Sequence, residues 1–223
     1  MKNIAIIPAR AGSKRLSNKN LILLGGIPLM AHSILEAKKY PNIIDEIYVS
    51  TDDNQIKEVA LSFGAKVIDR PVEISGDLAP TVTALKHVLE TISYQVDHVF
   101  LLQPTNPLRP NNLLAEAYSL FQNNLTDSLM TVSQNHLKLG KIHNNEFIPY
   151  NYTIGQRTQD LDPLYYENGL LYIIASQLIF QEKIMGDKPF PMIVNHSYAS
   201  VDIDTQNDLD FAEYLFKKSK NNL

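Results

Sequence analysis

The chain has 223 residues, with 20 lysines and arginines against 24 aspartates and glutamates, a net charge of −4, and no cysteine. The acidic balance argues against binding nucleic acid or an anionic membrane by bulk charge, so any anion site must be local. Without cysteine there is no disulfide, thiolate chemistry or cysteine-based zinc site, which favours a reducing compartment.

The opening MKNIAIIPAR holds only a short apolar run and no secretory cleavage pattern, far from the roughly 20 apolar residues of a membrane span. A cytoplasmic protein is expected, folded as one α/β domain over residues 1–223.

Short, β-rich apolar runs stand at residues 4–7, 47–49, 66–68 and 99–102, separated by helix-length segments. That alternation predicts parallel strands joined by crossover helices. The first run ends at Pro8, and residues 28–39 carry Leu29, Met30, Ile34, Leu35 and Ala37 at near-helical spacing. Residues 9–27 are therefore read as a long loop beyond the carboxyl end of a strand, where open α/β sheets bind ligands. From about Ser128 the pattern turns to shorter strands and aromatic-rich loops without a Pro/Gly/Ser linker, which predicts an elaboration of the same sheet.

Residues 8–20 read PARAGSKRLSNKN and set Arg10, Lys14, Arg15 and Lys19 around Gly12 and Ser13. Gly12 has access to backbone angles closed to other residues, so successive N–H groups can converge on phosphate oxygens while the basic side chains neutralise charge. The spacing G-x-G-x-x-G is absent, and the first glycine of G-x-x-x-x-G-K-[ST] is missing before Gly12-Ser13-Lys14. A solvated basic loop has the same composition, and the residues alone leave both readings open.

Near the end, residues 201–208 read VDIDTQND ahead of Leu209, Phe211, Ala212, Leu215 and Phe216 at helical spacing. Thr205 and Asp208 form a capping-box pattern. On an extended chain, Asp202 and Asp204 point to the same side and offer two hard carboxylates to Mg2+ carrying a nucleoside triphosphate. The bland alternative is that these acids complement the positive end of the helix dipole. The six histidines show no ligand spacing, and Tyr165, Tyr166 and Tyr172 read as packing residues.

Taken in order, the 8–20 stretch, residues 101–109 (LLQPTNPLR), the Gln159-Asp160-Leu161 and Glu167-Asn168-Gly169 pieces and VDIDTQNDLD resemble the CMP-acylneuraminate synthetases across nearly the whole chain. The resemblance implies a Rossmann-like nucleotidyltransferase fold, a three-layer sandwich with a mostly parallel central sheet and a small dimerisation element. Residues at about 135–170 would supply that sugar-binding and dimerisation part, and a homodimer is expected. It further implies CTP contacts from Arg10, Ser13, Lys19 and Asn20, a cytosine pocket lined by Arg70, Ala79 and Thr81, and contacts to an acidic nonulosonate sugar from Gln103 and Lys138.

Relatives commonly carry two basic residues before Gln-Asp-Leu, whereas this chain has Arg157 and then Thr158. The position that meets the sugar carboxylate in relatives has lost its charge, so either Arg157 substitutes from the neighbouring position or the sugar carboxylate is held differently, which leaves the exact substrate open. The implied reaction is attack of the anomeric hydroxyl on the α-phosphorus of CTP with loss of pyrophosphate. Mg2+ on Asp202 and Asp204, with Arg10 and Lys19, would stabilise the developing charge. Competing readings are a cytidylyltransferase for another ulosonate (legionaminate, pseudaminate or 3-deoxy-octulosonate) and a glycosyltransferase-like nucleotide-sugar-binding domain.

Overall fold

The structure is a computed structural model that describes residues 1–13 and 15–220. The first half runs β1 (Asn3–Pro8), β2 (Leu23–Leu24), β3 (Ile27–Pro28), α1 (Leu29–Lys38), β4 (Glu46–Thr51), α2 (Asn54–Ser62), β5 (Lys66–Asp69), α3 (Thr81–Thr91) and β6 (His98–Leu101). The second half runs α4 (Leu113–Asn123), β7 (Ser128–Asn135), β8 (Gly140–His143), β9 (Glu146–Pro149), β10 (Leu164–Ala175), α5 (Ser176–Phe180), β11 (Phe190–Ile193) and α6 (Gln206–Lys220).

Seven strands form one sheet in the order β11-β7-β10-β6-β1-β4-β5. The four strands and the first helix expected from the sequence are β1, β4, β5, β6 and α1, and the four strands pair in parallel. Only β10 runs against the rest of this sheet. Side chains alternate across each strand, so Ala5 and Ile7 of β1 pack under α1, α2 and α4 while Ile4 and Ile6 pack under α3 and α5. A sheet buried on both faces makes its central strands continuously apolar, which is why they are legible as apolar runs. The outcome is the mostly parallel three-layer α/β sandwich.

Two expectations are corrected. The 9–27 segment is not a bare loop: it holds a 3-10 turn at Lys19–Leu21 and a small hairpin of β2 with β3. Gly25 and Gly26 turn that hairpin at φ 59° and 86°, and a Cβ on Gly25 would lie 1.9 Å from Cε1 of Phe216 on α6. Nor are the later strands uniformly shorter, since β10 has 12 residues. A register shift between Glu167 and Tyr172 breaks its alternation and conceals its length in the sequence.

At the start of β4, Glu46 accepts hydrogen bonds from Lys66 Nζ at 2.8 Å, Tyr94 Oη at 2.7 Å and the Tyr48 hydroxyl. The Lys66 bond first, then those from Tyr48 and Tyr94, hold its carboxyl down to about 2 from an ordinary 4.5. A depressed folded-state value stabilises above pH 4.5, and that contribution is lost as pH falls toward about 2. Glu46→Gln is therefore expected to lower stability at neutral pH by about 1–2 kcal/mol, allowing for solvent screening. Urea melts should show a flatter acid limb for the variant; equal acid sensitivity in both proteins would refute the assignment.

Candidate active site

The chain moves from β1 outward through β4 and β5, then returns to β6 on the other side of β1. The carboxyl ends of β1 and β6 thus flank the crevice at the reversal of strand order, the usual ligand position in such sheets. Arg10, Ser13, Lys19, Asn20, Thr105 and Asp204 line this crevice. Against it lies a compartment bounded by Arg10, Arg70, Ala79, Thr81 and Gln103. Beyond Gln103 is a further pocket, walled by Asp202, Glu167, Asn168 and Tyr172. Gln103 is shared by the last two pockets and Arg10 by the first two.

Most of the sequence-named residues therefore converge on one contiguous depression. Gly12 lines a groove beside it, with Arg10, Ser75 and Asp77. Lys14 lies outside the described residues. Lys138 and Arg157 line none of these pockets: Lys138 Nζ donates to the Gln156 carbonyl, and Arg157 holds Asp160 through two bonds of 2.7 and 3.0 Å.

The loop after β1 is held by its own polar groups. Asn20 is buried and donates Nδ2 to the Arg10 carbonyl at 2.9 Å, and the Ala11 N–H donates to Asp52 Oδ1 at 3.0 Å. Asn18 occupies the left-handed region at φ 52° and begins the 3-10 turn that delivers Lys19. Gly12 does not use its conformational freedom, because the positive-φ glycines among the described residues are Gly25, Gly26, Gly64, Gly155 and Gly169. A Cβ on Gly12 would meet Arg10 Nη1 at an ordinary 3.6 Å.

Each described cation of the cradle is already paired. Arg10 donates to Asp77 Oδ1 at 2.7 Å and to the Ser75 carbonyl at 3.2 Å. Lys19 and Arg15 reach the two oxygens of Asp204 at 2.7 and 2.8 Å. Sequence reasoning missed Asp77, a single acid in a loop with no motif around it. Arg15 was visible as charge, with no hint that it pairs with Asp204.

Arg70 is buried beside β4, donating Nε to Ser50 Oγ at 3.0 Å and Nη2 to the Ser50 carbonyl at 2.6 Å. Burial draws its guanidinium down to about 10, with Asp52 opposing, so it stays charged at neutral pH.

Thr205 and Asp208 form the expected cap, with the Thr205 N–H and Oγ1 both donating to Asp208 Oδ2 at 2.8 Å. Before it, Val201 and Ile203 are buried while Asp202 and Asp204 face outward. The two carboxylates open into adjoining pockets rather than one, because Lys19 and Arg15 draw Asp204 toward the crevice. Asp202 is reached by solvent but set in a concavity. Loss of surrounding water raises its carboxyl above the ordinary range, a hydrogen bond from Thr105 counters this, and Asp204 adds to the rise.

Hard oxygen donors of this kind suit Mg2+. Among the described residues no group of three or more His, Asp or Glu could hold a metal alone, so phosphate and water would complete the shell.

Gln103 is fixed through its backbone. The guanidinium of buried Arg109 donates to the carbonyls of Gln103 at 3.1 Å and Leu170 at 2.7 Å and to Ser33 Oγ at 3.1 Å. Asn106 Nδ2 donates to the carbonyls of Asn168 at 3.0 Å and Val201 at 2.8 Å. Gly169 sits at φ 73°, where a Cβ would stand 2.6 Å from Asn106 Oδ1 and 2.9 Å from Gln103 Oε1. Gly169→Ala is expected to cost about 1–3 kcal/mol through the forced backbone and this overlap. Urea denaturation checks it, and an unchanged midpoint would show that the bulge relaxes freely.

A crevice at the strand-order reversal, lined by a basic loop with Asp77 and Asp204, is a setting that suits an α/β nucleotidyltransferase. Residues 4–222 match the sequence model of the family described as cytidylyltransferase, and the chain belongs to that family. It is 35% identical to a pseudaminic acid cytidylyltransferase of Campylobacter jejuni over 97% of each chain. A CMP-N,N'-diacetyllegionaminic acid synthase of Legionella pneumophila is equally similar, 35% over 97% of each. An N-acylneuraminate cytidylyltransferase of Streptococcus agalactiae is 32% identical over 99% of this chain and 56% of that protein. Among solved structures, CMP:2-keto-3-deoxy-manno-octonic acid synthetase complexed with CTP superposes with a TM-score of 0.73 at 16% identity, covering 98% of this chain and all of that one.

Proposed function

We propose that this protein is a cytoplasmic cytidylyltransferase that transfers CMP from CTP to the anomeric hydroxyl of a nine-carbon acidic sugar, N-acylneuraminate or a close relative, releasing pyrophosphate. One observation carries the reading: a compartment with buried Arg70 and a pocket with Asp202 meet at Gln103, with the Arg10–Lys19 crevice alongside. A nucleoside, a triphosphate and an acceptor sugar can thus occupy neighbouring space, the nucleoside compartment sharing Arg10 with the crevice and Gln103 with the sugar pocket. The names of the relatives at 32–35% identity favour nonulosonate acceptors.

In this reaction the anomeric hydroxyl gives up its proton to water, its oxygen bonds to the α-phosphorus, and the bond from that phosphorus to the bridging oxygen breaks as pyrophosphate leaves. The Arg70 compartment takes the cytosine, with Ala79 and Thr81 on its wall. Arg10 exchanges Asp77 for a phosphate oxygen, and Lys19 meets charge developing on the departing pyrophosphate. Gln103 orients the sugar at the junction. Mg2+ is the proposed cofactor; Asp202 and Asp204 would hold it together once Asp204 gives up Lys19 or Arg15, and it would supply charge neutralisation and Lewis acidity.

A homodimer is proposed as the working state. Ile142 and Phe147, directly paired across the β8–β9 hairpin, are 79% and 53% exposed, an apolar face that a second copy would cover. Lys138 and Arg157 belong to the same projecting region and would serve a sugar site only from a partner. Replacing Ile142 and Phe147 together by aspartate is expected to convert a dimer to a monomer in sedimentation equilibrium; a wild-type monomer would refute the proposal.

Pyrophosphate release from CTP, ATP, GTP and UTP with Mg2+ and a panel of N-acetylneuraminate, legionaminate, pseudaminate and 3-deoxy-octulosonate tests the function. Release is expected only with CTP and a nine-carbon acid. Asp202→Asn and Asp204→Asn are each expected to lower kcat about 100-fold or more with folding intact. No release with any sugar would overturn the reading.

A further inference from the structure

Resting on that reading, the pocket beyond Gln103 carries a feature that bears on which end of the sugar it receives. Its charged lining consists of Glu167 and Asp202, both carboxylates. An acidic sugar that turned its own carboxylate toward Glu167 would set like charges together, and a carboxylate offers acceptors only. We propose that Glu167 is a specificity-determining residue that accepts a hydrogen bond from an uncharged donor of the sugar, a hydroxyl or an acylamino N–H, so that the sugar carboxylate points away from this wall.

The position of Glu167 is set by the fold. It pairs with Val132 as the last residue before the register shift in β10, and its neighbour Asn168 is buried. Asn168 accepts from Thr131 Oγ1 at 2.6 Å and donates to Ser133 Oγ at 3.0 Å, which locks the bulge to β7. Across the bulge, the Tyr172 hydroxyl donates to Glu167 Oε2 at 3.1 Å, and both residues line the pocket. A carboxylate held by one partner on a rigid bulge is a preorganised acceptor. A sugar lacking the matching donor would leave it desolvated and unpaired, which is the condition under which hydrogen-bonding sites discriminate strongly.

The test compares wild type with Glu167→Gln in steady-state kinetics, varying CTP and the preferred sugar separately. Glu167→Gln keeps the side-chain shape and removes the charge. It is expected to raise the KM for sugar about tenfold and leave the KM for CTP within about twofold. Tyr172→Phe, which frees Glu167 to move, is expected to give a smaller rise of the same kind. Against a panel of sugars each lacking one hydroxyl or the acylamino group, wild type should reject one analogue, and Glu167→Gln should lose that discrimination.

An unchanged sugar KM in folded Glu167→Gln overturns the proposal, as does an equal rise in both KM values, which would mark a structural role. Failure of wild type to turn over any acidic sugar sinks the functional reading itself, an outcome distinct from either.

Discussion

The two hydrogens of the Asn106 side-chain amide tie together three parts of the chain far apart in sequence. One goes to the Asn168 carbonyl and the other to that of Val201, all in the protein interior. A buried amide is tolerated only when its donors are satisfied, so none of the three segments can shift without orphaning a polar group. Gln103 lies three residues before Asn106, Glu167 one before Asn168, and Asp202 one after Val201. The three polar walls of the outer pocket thus inherit their register from a single side chain. Arg109 reinforces the same junction by holding the carbonyls of Gln103 and Leu170.

The second organising theme is electrostatic. In a chain of net charge −4, the positive residues of the first loop stay concentrated because carboxylates from elsewhere fold onto them, Asp77 from the loop before α3 and Asp204 from the turn before α6. These contacts join the loop after β1 to two remote segments and close the crevice on both sides. The arrangement accounts for two separated acids acting on one basic loop, which neither local sequence reveals.

What the sequence made legible follows from physics that acts locally. Strands buried on both faces appear as apolar runs, which makes β1, β4 and β6 legible, while the edge strand β5 shows only Val67-Ile68; the Thr205–Asp208 cap is an i, i+3 pattern, and α6 begins where it predicts. The short β2–β3 hairpin has no room for a period, though its Gly25-Gly26 pair is a turn signal that went unused. β10 was hidden because its bulge resets the alternation at Glu167. Arg109 stands in the sequence only as one residue of the 101–109 motif, since nothing local says that an arginine next to Pro110 is buried. The phosphate-loop reading of residues 8–20 drew on composition, but its assignment to particular ligands drew on the resemblance.

Of the described charges that line the crevice, Arg10, Arg15 and Lys19 stand against Asp77 and Asp204. The paired carboxylates offset most of that positive charge and weaken the field that the loop casts into solvent. Capture depends on exchange at contact, with phosphate oxygens replacing carboxylate oxygens one for one. A small anion that can displace only one of those carboxylates gains little by entering, whereas a polyphosphate long enough to satisfy Arg10 and Lys19 together gains at both, which makes chain length of the phosphate a selectable property of the site before any base is read.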